Sequence, residues 1–320
     1  MKKEKIVIGT RGSKLALWQA EWVKSQLRKL EPGLKVELNV IKTTGDKITD
    51  VALAKVGGKG LFVKEIEEAL LAGEADIAVH SMKDVPTELP EGLHLKAVCK
   101  RENPGDALIS KDGKKLAQLP KTAHIGTSSL RRSSQLLQKN PSYKISSLRG
   151  NLDTRLRKLD EGLFDAIILA VAGLKRLGFE GRITEVIPPE VMLPAIGQGA
   201  VGVECRTGDP YINELVGKLN HEETAVAVRA ERALLKRLEG GCQVPIAAYG
   251  RLINGKLHLD GLVGSPAGDK VIREKMEGGP REAESLGIKL AEKLISLGAG
   301  RILAEVYGKP IPGVNSQLKT

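Results

Sequence analysis

Over the first 220 residues, short apolar runs alternate with segments whose apolar positions recur at helical spacing. Residues 6 to 8 predict a strand, and Ser13 can cap the helix that follows. The apolar residues of that helix recur at intervals of three to five positions: Leu15, Trp18, Trp22, Leu27 and Leu30. From Leu34 to Val40 apolar and polar residues alternate, as in a strand with one buried face. This order of elements is typical of an α/β fold.

Two local patterns occur twice in this region. Ile8-Gly9-Thr10 and Ile125-Gly126-Thr127 each end a predicted strand and lead through small residues into a helix that carries arginine. Residues 73–76 and 162–165, each a glycine followed three positions later by an aspartate, close a helix and open a buried strand. Two similar α/β lobes explain both repeats better than one long sheet does.

The pattern changes after residue 220. Residues 222–238 predict a helix, and residues 244–264 predict antiparallel strands with a hairpin turn at Asn254-Gly255. A final amphipathic helix is expected over residues 281–297. We therefore expect a small C-terminal α+β domain with an antiparallel sheet.

Glycine and proline mark two places where the chain can cross between the lobes. One lies near residue 100, and the other contains Gly197 and Gly199. The expected domains are residues 1–99 with 200–220, residues 100–199, and residues 221–320. Two crossings would let two lobes close on something held between them.

The charge balance points to an anionic partner. Fifty lysines and arginines face 39 aspartates and glutamates, a formal net charge of +11. Nucleic acid, anionic lipid or a multiply charged small molecule would each suit this excess. Aromatic residues make up only 3% of the chain, which disfavours binding of single strands by base stacking.

Cysteine usage and hydropathy favour a cytoplasmic protein. The three cysteines have no CxxC spacing, which argues against a disulfide framework or a thiolate metal site and toward a reducing compartment. The five histidines are scattered and predict no metal site. The first residues lack a signal-peptide core, and the longest apolar run, residues 166–174, is about half of a membrane span.

Basic residues recur where predicted strands end and helices begin. They are Arg11, Lys83, Arg131, Arg132, Arg149, Arg155 and Arg176. In open α/β sheets the carboxyl ends of strands border the ligand crevice, and helix starts favour anions. A guanidinium can bind a carboxylate or phosphate through two parallel hydrogen bonds. Surface ion pairing explains any one of these residues, but the set predicts a shared site for a polyanion.

Three further features have an ordinary and a functional interpretation. Residues 42–60 form either an ordinary disordered loop or a mobile one that brings Lys55 and Lys59 over a cleft. Asp84, directly after Lys83, is a cap or ion-pair partner on pattern alone, yet it could also hold an N–H donor or stabilise a transient cation. Cys242, which follows two glycines at a helix end, would ordinarily be a small buried hydrophobic residue.

Six segments together resemble the porphobilinogen deaminases, also called hydroxymethylbilane synthases. They are GTRGSKLALWQ, HSMKDVPT, GTSSLRRSSQL, LRGNLDTRL, GQGA and EGGCQVP, and they run through essentially the whole chain in the family's order. The resemblance implies two α/β lobes of the type II periplasmic-binding-protein kind plus the small α+β domain. It also implies a transferase that joins four porphobilinogen molecules head to tail, with release of ammonia, into the linear tetrapyrrole 1-hydroxymethylbilane, a precursor of haem.

The same resemblance implies roles for individual residues. A dipyrromethane cofactor would be attached to Cys242 by a thioether, and Asp84 would be the catalytic carboxylate. The other cofactor-binding residues would be Ser13, Lys83, Thr127, Ser129, Arg131, Arg132 and Arg155. Substrate and growing chain would be bound by Arg11, Gln19, Lys55, Lys59, Arg149, Arg176 and Gln198. The family also implies a monomer that acts on a small molecule, without nucleic acid, membrane or metal.

Two other functions compete with this one. A cleft protein that binds an anionic ligand without catalysis would suit the two lobes, but it gives Cys242 no use. A nucleic-acid-binding protein would suit the positive charge, but neither the low aromatic content nor any recognisable module supports it.

Overall fold

The computed structural model describes residues 3–47, 60–240 and 244–308, and strands and helices alternate along most of this part of the chain. The strands are β1 (Lys5–Arg11), β2 (Lys35–Ile41), β3 (Ile77–Ser81), β4 (Leu93–Val98), β5 (Asp106–Ser110), β6 (His124–Gly126), β7 (Lys144–Ser146), β8 (Ala166–Ala170), β9 (Glu185–Ile187), β10 (Val201–Arg206), β11 (Ile246–Ile253), β12 (Lys256–Gly264) and β13 (Val271–Gly278).

The α-helices follow in the same chain order. They are α1 (Lys14–Leu30), α2 (Thr44–Lys47), α3 (Lys64–Leu71), α4 (Leu130–Lys139), α5 (Leu152–Asp160), α6 (Val171–Arg176), α7 (Pro210–Gly217), α8 (Glu222–Arg237), α9 (Ala283–Leu294) and α10 (Gly300–Tyr307). None of the helices within the described ranges combines the length and the apolar character that crossing a membrane requires.

The chain divides into two compact units. The first consists of Met1–Asn103, Lys175–Gly178 and Gln198–Ala225, and the second of Pro104–Leu174, Phe179–Gly197 and Val226–Thr320. The expected three-domain boundaries stay a prediction.

The first unit is built on a five-stranded sheet of order β2-β1-β3-β10-β4. β1 pairs in parallel with β2 and β3, whereas β10 runs antiparallel to β3 and β4. On one face, α1 buries Ala20, Val23 and Leu27 against the sheet. As expected, Ser13 caps α1: its Oγ accepts a hydrogen bond from the Ala16 amide at 3.3 Å. Because α1 starts directly after β1 ends, its N-terminus lies at the carboxyl edge of the sheet.

The helix α3 covers the opposite face of this sheet. Its Ile66 and Leu70 form a small core with Ala75, Ala78 and Leu93. α3 therefore packs on the face of the sheet to which Ala78 of β3 points.

The second unit repeats this architecture. Its five-stranded sheet has the order β7-β6-β8-β5-β9, with β6 parallel to β7 and β8 and with β5 antiparallel to β8 and β9. The positions correspond one for one to those of the first sheet. The two patterns that occur twice in the sequence thus mark two copies of one arrangement of strands and helices.

The repeated glycine–aspartate pattern has a physical cause. Gly73 and Gly162 end their helices in the left-handed conformation, with φ of 77° and 78°. The aspartates three residues later, Asp76 and Asp165, each accept a hydrogen bond from a backbone amide at the start of the neighbouring parallel strand, Val7 at 2.8 Å and His124 at 2.7 Å. Each glycine–aspartate pair therefore fixes where a central strand, β3 or β8, begins relative to the neighbouring parallel strand.

A three-stranded antiparallel sheet, β11-β12-β13, also belongs to the second unit. The β11–β12 hairpin turns at Asn254 and Gly255, whose φ values of 51° and 76° match the predicted turn. α9 packs Leu286, Leu290 and Leu294 into the core of this sheet. The predicted fold class, two α/β lobes and a small α+β domain with an antiparallel sheet, is confirmed.

The end of α8 has a left-handed residue that is not a glycine. The left-handed residue is Glu239, with φ of 51°. Gly240 donates to the Leu235 carbonyl at 2.9 Å, and a Cβ there would lie 2.4 Å from the Leu235 side chain. A side chain at Gly240 would therefore require the side chains of Leu235 and Ile246 to shift, while Gly241 lies outside the described residues.

We predict that Gly199→Ala destabilises the protein more than Gly178→Ala. Both glycines have positive φ, 87° and 74°, so alanine costs about 1–2 kcal/mol at either position. A Cβ at Gly199 would also meet the Glu102 carbonyl oxygen at 2.4 Å, whereas Gly178 faces open space. The overlap should add about 1–3 kcal/mol, measured by urea unfolding. Equal losses for both variants would contradict the steric account.

Candidate functional site

A pocket of about 410 Å³ opens in the first unit where β1 and β3 end and α1 begins. This is the edge at which open α/β sheets bind ligands. Its lining consists of Arg11, Ser13, Leu15, Ala16, Gln19, Phe62, Val63, Val79, His80, Ser81 and Asp84. Of the predicted site residues in this unit, the pocket brings together Arg11, Ser13, Gln19 and Asp84.

Asp84 enters the pocket from a short 3₁₀ turn that follows β3, residues Met82–Asp84. The turn is fixed by hydrogen bonds from the Met82 amide to the Ala200 carbonyl at 3.0 Å and from the Val85 amide to the Met82 carbonyl at 3.3 Å. The Met82 side chain is fully buried against Gly202. No donor in the described part of the chain hydrogen-bonds to the Asp84 carboxylate, so a ligand N–H can approach it.

Arg11, at the end of β1, is held by two contacts. Its Nε donates to Asp46 Oδ1 at 3.1 Å, and its Nη2 donates to the same carboxylate. Its guanidinium carbon lies 4.2 Å from the centre of the Phe62 ring. Burial alone would raise the pKa of Asp46, but hydrogen bonds from Arg11 and Thr43 outweigh it and hold that pKa below its ordinary value. The pair leaves the Nη1 group of Arg11 without an acceptor among the described residues.

Ser13 and Gln19 belong to α1. Ser13 caps the helix, so its hydroxyl oxygen is engaged while its O–H can still donate. Gln19 is buried and donates from Nε2 to Ser81 Oγ at 2.9 Å. It therefore acts on the pocket by orienting Ser81.

Lys83, Arg176 and Gln198 are outside the lining of this pocket. Lys83 is half-buried in the turn before Asp84. Arg176 donates from Nη2 to the Gly199 carbonyl at 2.7 Å and lies 5.6 Å from the centre of the Trp18 ring. Burial lowers its pKa. The Gln198 carbonyl accepts from Arg101 Nε at 2.7 Å, so two arginines hold the chain segment at residues 198 and 199.

In the second unit, Arg131 and Arg132 at the start of α4 share one carboxylate. Arg131 Nη1 donates to Asp106 Oδ2 at 2.7 Å, and Arg132 Nη2 donates to Oδ1 at 2.7 Å. Their Nη1 groups also donate to the carbonyls of Leu193 and Ile168. Asp106 is 0% exposed and both arginines are buried. Burial lowers the pKa of Arg132, and Asp106 opposes this effect. The triad leaves a net positive charge inside this unit.

The remaining predicted residues of the second unit lie at the starts of α4 and α5. Thr127 is buried, and its Oγ1 accepts from the amide of Ser129, the residue before α4. Arg149 is half-buried, and its Nε donates to Ser147 Oγ at 3.4 Å. Arg155 Nε donates to the Gly150 carbonyl at 2.8 Å. Both guanidinium groups therefore have a fixed position near the N-terminus of α5.

Cys242, Lys55 and Lys59 lie outside the described residues. The other two cysteines, Cys99 and Cys205, are buried. Burial raises the pKa of the Cys99 thiol to about 12 and that of Cys205 to about 11, which suppresses their thiolates near neutral pH. Within the described ranges, no group of histidine, cysteine, aspartate and glutamate side chains is arranged to hold a metal ion.

Two protein-family models match the chain. Residues 6–214 match the porphobilinogen deaminase, dipyromethane cofactor binding domain, and residues 225–296 match the porphobilinogen deaminase C-terminal domain. The chain belongs to the porphobilinogen deaminase family. Porphobilinogen deaminases polymerise porphobilinogen with a dipyrromethane cofactor, so this is a transferase of tetrapyrrole biosynthesis. The resemblance, the enzyme class and the cofactor expected from the sequence are confirmed.

Several solved structures are similar to this chain at low identity. They include the VFT2 domain of BvgS from Bordetella pertussis (16% identity, 67% of this chain and 85% of that chain, TM-score 0.40) and a putative methionine-binding lipoprotein from Bacillus subtilis (15%, 68% and 90%, TM-score 0.42). A third is an amino acid transporter substrate-binding protein from Streptococcus pneumoniae bound to L-arginine (18%, 68% and 86%, TM-score 0.40). The family assignment rests on the sequence match and not on these structures.

The pocket of this porphobilinogen deaminase fits the chemistry of a dipyrromethane. A dipyrromethane presents pyrrole N–H donors and carboxylate acceptors. The Asp84 carboxylate can accept from the former, while Arg11 Nη1 and the first amides of α1 can donate to the latter.

Sequence reasoning missed several residues of the site. Asp46 and Phe62 fix Arg11, Ser81 lines the pocket, and Glu204 Oε2 lies 2.9 Å from Nε2 of the pocket residue His80. Glu204 carried a usable signal, since it is an acidic residue inside the apolar strand VGVEC. Phe62 and Asp46 carried none, because only the folded chain places them beside Arg11.

We predict that Asp106→Asn lowers the free energy of unfolding by about 3–5 kcal/mol, because two buried guanidinium groups lose their shared carboxylate. Asp112→Asn is the matched control. Asp112 lies in the same region of the chain, but it is exposed, and its ion pair with Lys114 (3.7 Å) is on the surface. Because exposed ion pairs contribute little, loss of this carboxylate should change the free energy of unfolding by less than about 0.5 kcal/mol. Urea unfolding measures both, and a small effect of Asp106→Asn would refute the role of the triad in stability.

Proposed function

We propose that this protein joins four porphobilinogen molecules head to tail, releases one ammonia for each, and takes up one water to yield 1-hydroxymethylbilane, with Asp84 as the catalytic carboxylate. One observation carries the proposal. Asp84 is a carboxylate that no described donor engages, in a pocket that otherwise presents a cation, hydroxyl groups and a helix N-terminus. The pocket lies within the residues that match the cofactor-binding domain of the family.

Asp84 is proposed to act on the pyrrole ring of the substrate. Its carboxylate accepts a hydrogen bond from the pyrrole N–H. When the carbon–nitrogen bond of the protonated aminomethyl group breaks, the electron pair leaves with ammonia and the ring becomes cationic. A fixed negative charge beside the ring stabilises this cation, and the same carboxylate can accept the proton that the attacked pyrrole carbon loses after the new carbon–carbon bond forms. The bound dipyrromethane supplies the pyrrole carbon from which the chain grows.

Cationic side chains and neutral polar residues of both units are proposed to bind the acetate and propionate groups of the pyrroles. Burying such carboxylates without partners costs several kcal/mol per ion, so the growing product needs many fixed donors. Arg11, Ser13, Gln19, Lys83, Arg176 and Gln198 in the first unit are the proposed contacts, with Lys55 and Lys59. In the second unit they are Thr127, Ser129, Arg131, Arg132, Arg149 and Arg155.

Cys242 is proposed to hold the cofactor. Its thiolate would attack the methylene carbon that forms when porphobilinogen loses ammonia, and a carbon–sulfur bond results. The burial of Cys99 and Cys205, with their raised pKa values, makes those two thiols poorly suited to this reaction. Monomeric state, lack of a nucleic-acid partner and cytoplasmic location stay predictions.

We predict that the intact mass of the purified protein exceeds the mass of its chain by two linked pyrrole units. Cys242→Ser should lack this excess because no thioether can form. Cys99→Ser and Cys205→Ser are the controls and should retain it. Mass spectrometry measures all four proteins, and an unmodified mass in active wild-type protein would exclude the attachment.

We predict that Asp84→Asn lowers turnover of porphobilinogen by at least about 100-fold, because the amide keeps the size of the side chain but loses the charge that stabilises the cation. Its stability to urea should equal that of the wild type. Glu91→Gln, an exposed change in the same segment, should retain full turnover. If Asp84→Asn keeps more than a tenth of wild-type activity, Asp84 is not the catalytic carboxylate.

A further inference from the structure

A cluster of ionisable groups lies beneath α3, behind the pocket. Glu204 on β10 is 0% exposed, and its Oε2 lies 2.9 Å from Nε2 of the buried His80 on β3. In the antiparallel pairing of these strands, Glu204 is opposite Ala78 and Gly202 is opposite His80. Ala78 packs against α3, so His80 and Glu204 share the face of the sheet that α3 covers.

Glu67 of α3 completes this cluster. Glu67 is only 7% exposed, and Glu204, His80 and its neighbour Glu68 act electrostatically on its carboxylate. Two carboxylate oxygens, Glu67 Oε1 and Glu204 Oε1, are buried and have no hydrogen-bond partner among the described residues. A buried charged oxygen without a donor is unfavourable, and protonation removes both the charge and the unmet need for a donor.

Within the described ranges, the other elements that pack against α3 place no hydrogen-bonding cation at these oxygens. From β1, Gly9 lies beneath Ile66 and Arg11 is paired with Asp46. From β10, Arg206 donates to the carbonyls of Leu70 and Ala75 and pairs with Asp76.

The contribution of β4 is the apolar Leu93. Within the described part of the chain, His80 is the basic side chain that contacts Glu204 and acts electrostatically on Glu67. Burial first, and Glu204 second, raise the pKa of Glu67 to about 7, although His80 opposes them.

We propose that Glu67 holds a proton when the enzyme binds its substrate, and that loss of this proton adds negative charge behind the pocket and weakens binding of carboxylate-bearing pyrroles. The link to the pocket is His80, which contacts Glu204 and belongs to the lining. The effect on affinity rests on the function proposed above. The proton itself does not, because it follows from the buried carboxylates alone.

The sign of the pH dependence is fixed by the folded state. The pKa of Glu67 is raised from its ordinary 4.5 to about 7, so the folded protein retains a proton that the unfolded chain has already released. The stability that this proton contributes is fully present below about pH 4.5 and is lost as the pH rises through about 7. Affinity for an anionic substrate should fall over the upper part of the same range.

Steady-state kinetics with porphobilinogen test the effect on affinity. In the wild type, KM should rise by roughly three- to tenfold between about pH 6 and pH 8.5, because a new charge near the pocket repels the substrate. In Glu67→Gln the rise should shrink to less than about twofold, with kcat at pH 6 unchanged within about twofold. Glu68→Gln is the matched control: Glu68 is the next residue on α3 but is exposed, and its variant should follow the wild type. A KM profile of Glu67→Gln that coincides with the wild-type profile overturns the proposal.

Thermal unfolding tests the proton without substrate. Between about pH 5 and pH 8 the Tm of the wild type and of Glu68→Gln should fall more steeply than that of Glu67→Gln, which has no proton to lose. Parallel Tm profiles for all three proteins overturn the proposal. If no variant turns over porphobilinogen, the proposed function fails, while the Tm profiles still decide whether the proton is held.

A measurement on the wild type covers the case in which Glu67→Gln does not fold. Infrared spectra of the folded protein should show the carbonyl stretch of a protonated carboxylic acid at pH 6 and its loss at pH 8.5, a range in which ordinary carboxyl groups stay ionised. Glu68→Gln should give the same difference spectrum. Absence of this band from the wild type at pH 6 overturns the proposal.

Discussion

A charge that leaves water needs a partner, and this requirement organises both units of the protein. Arg11 is fixed by Asp46, and Arg131 and Arg132 by the fully buried Asp106. Each pairing orients a guanidinium group. Arg11 keeps an Nη1 group without an acceptor among the described residues, and the triad of Arg131, Arg132 and Asp106 keeps a net positive charge. Asp84 is the contrasting case. It sits in the same pocket as Arg11, yet nothing in the described chain donates to it, which is the condition under which a carboxylate can serve a passing substrate.

The repeated construction explains why such sites can form at strand ends. Gly73 with Asp76, and Gly162 with Asp165, set the entry of β3 and β8 through equivalent hydrogen bonds. These two strands lie at the centre of their sheets. The residues that follow each strand are therefore placed reproducibly by backbone geometry at the far end of the strand. Asp84 follows one of these strands, three residues after its end.

The cluster of Glu67, His80 and Glu204 adds a second layer to the pocket. It presents no group that reacts, but it holds charge within a sheet that forms the pocket floor. Negative charge behind the pocket would repel every carboxylate that is added to the growing polyanion. Low negative charge there therefore favours binding of the chain. The proton that we propose for Glu67 lowers this charge near neutral pH.

The sequence by itself determined the local elements and the family. Some features depend only on residues that are neighbours in the chain, so short-range patterns predict them. They are the Ser13 cap, the alternating strand at residues 34–40, the Asn254-Gly255 turn and the two repeated patterns. The six motifs identified the family because they extend along the whole chain.

Only the tertiary structure decided which groups satisfy one another. Asp106 lies 25 residues from Arg131, and Glu204 lies 124 residues from His80. No periodicity in the sequence encodes these distances, because strand order and register bring such residues together. The candidate arginines were therefore visible from the sequence. Burial and hydrogen bonding in three dimensions decided which of these arginines also stabilise the fold, and which carboxylate has no donor and is open to a ligand.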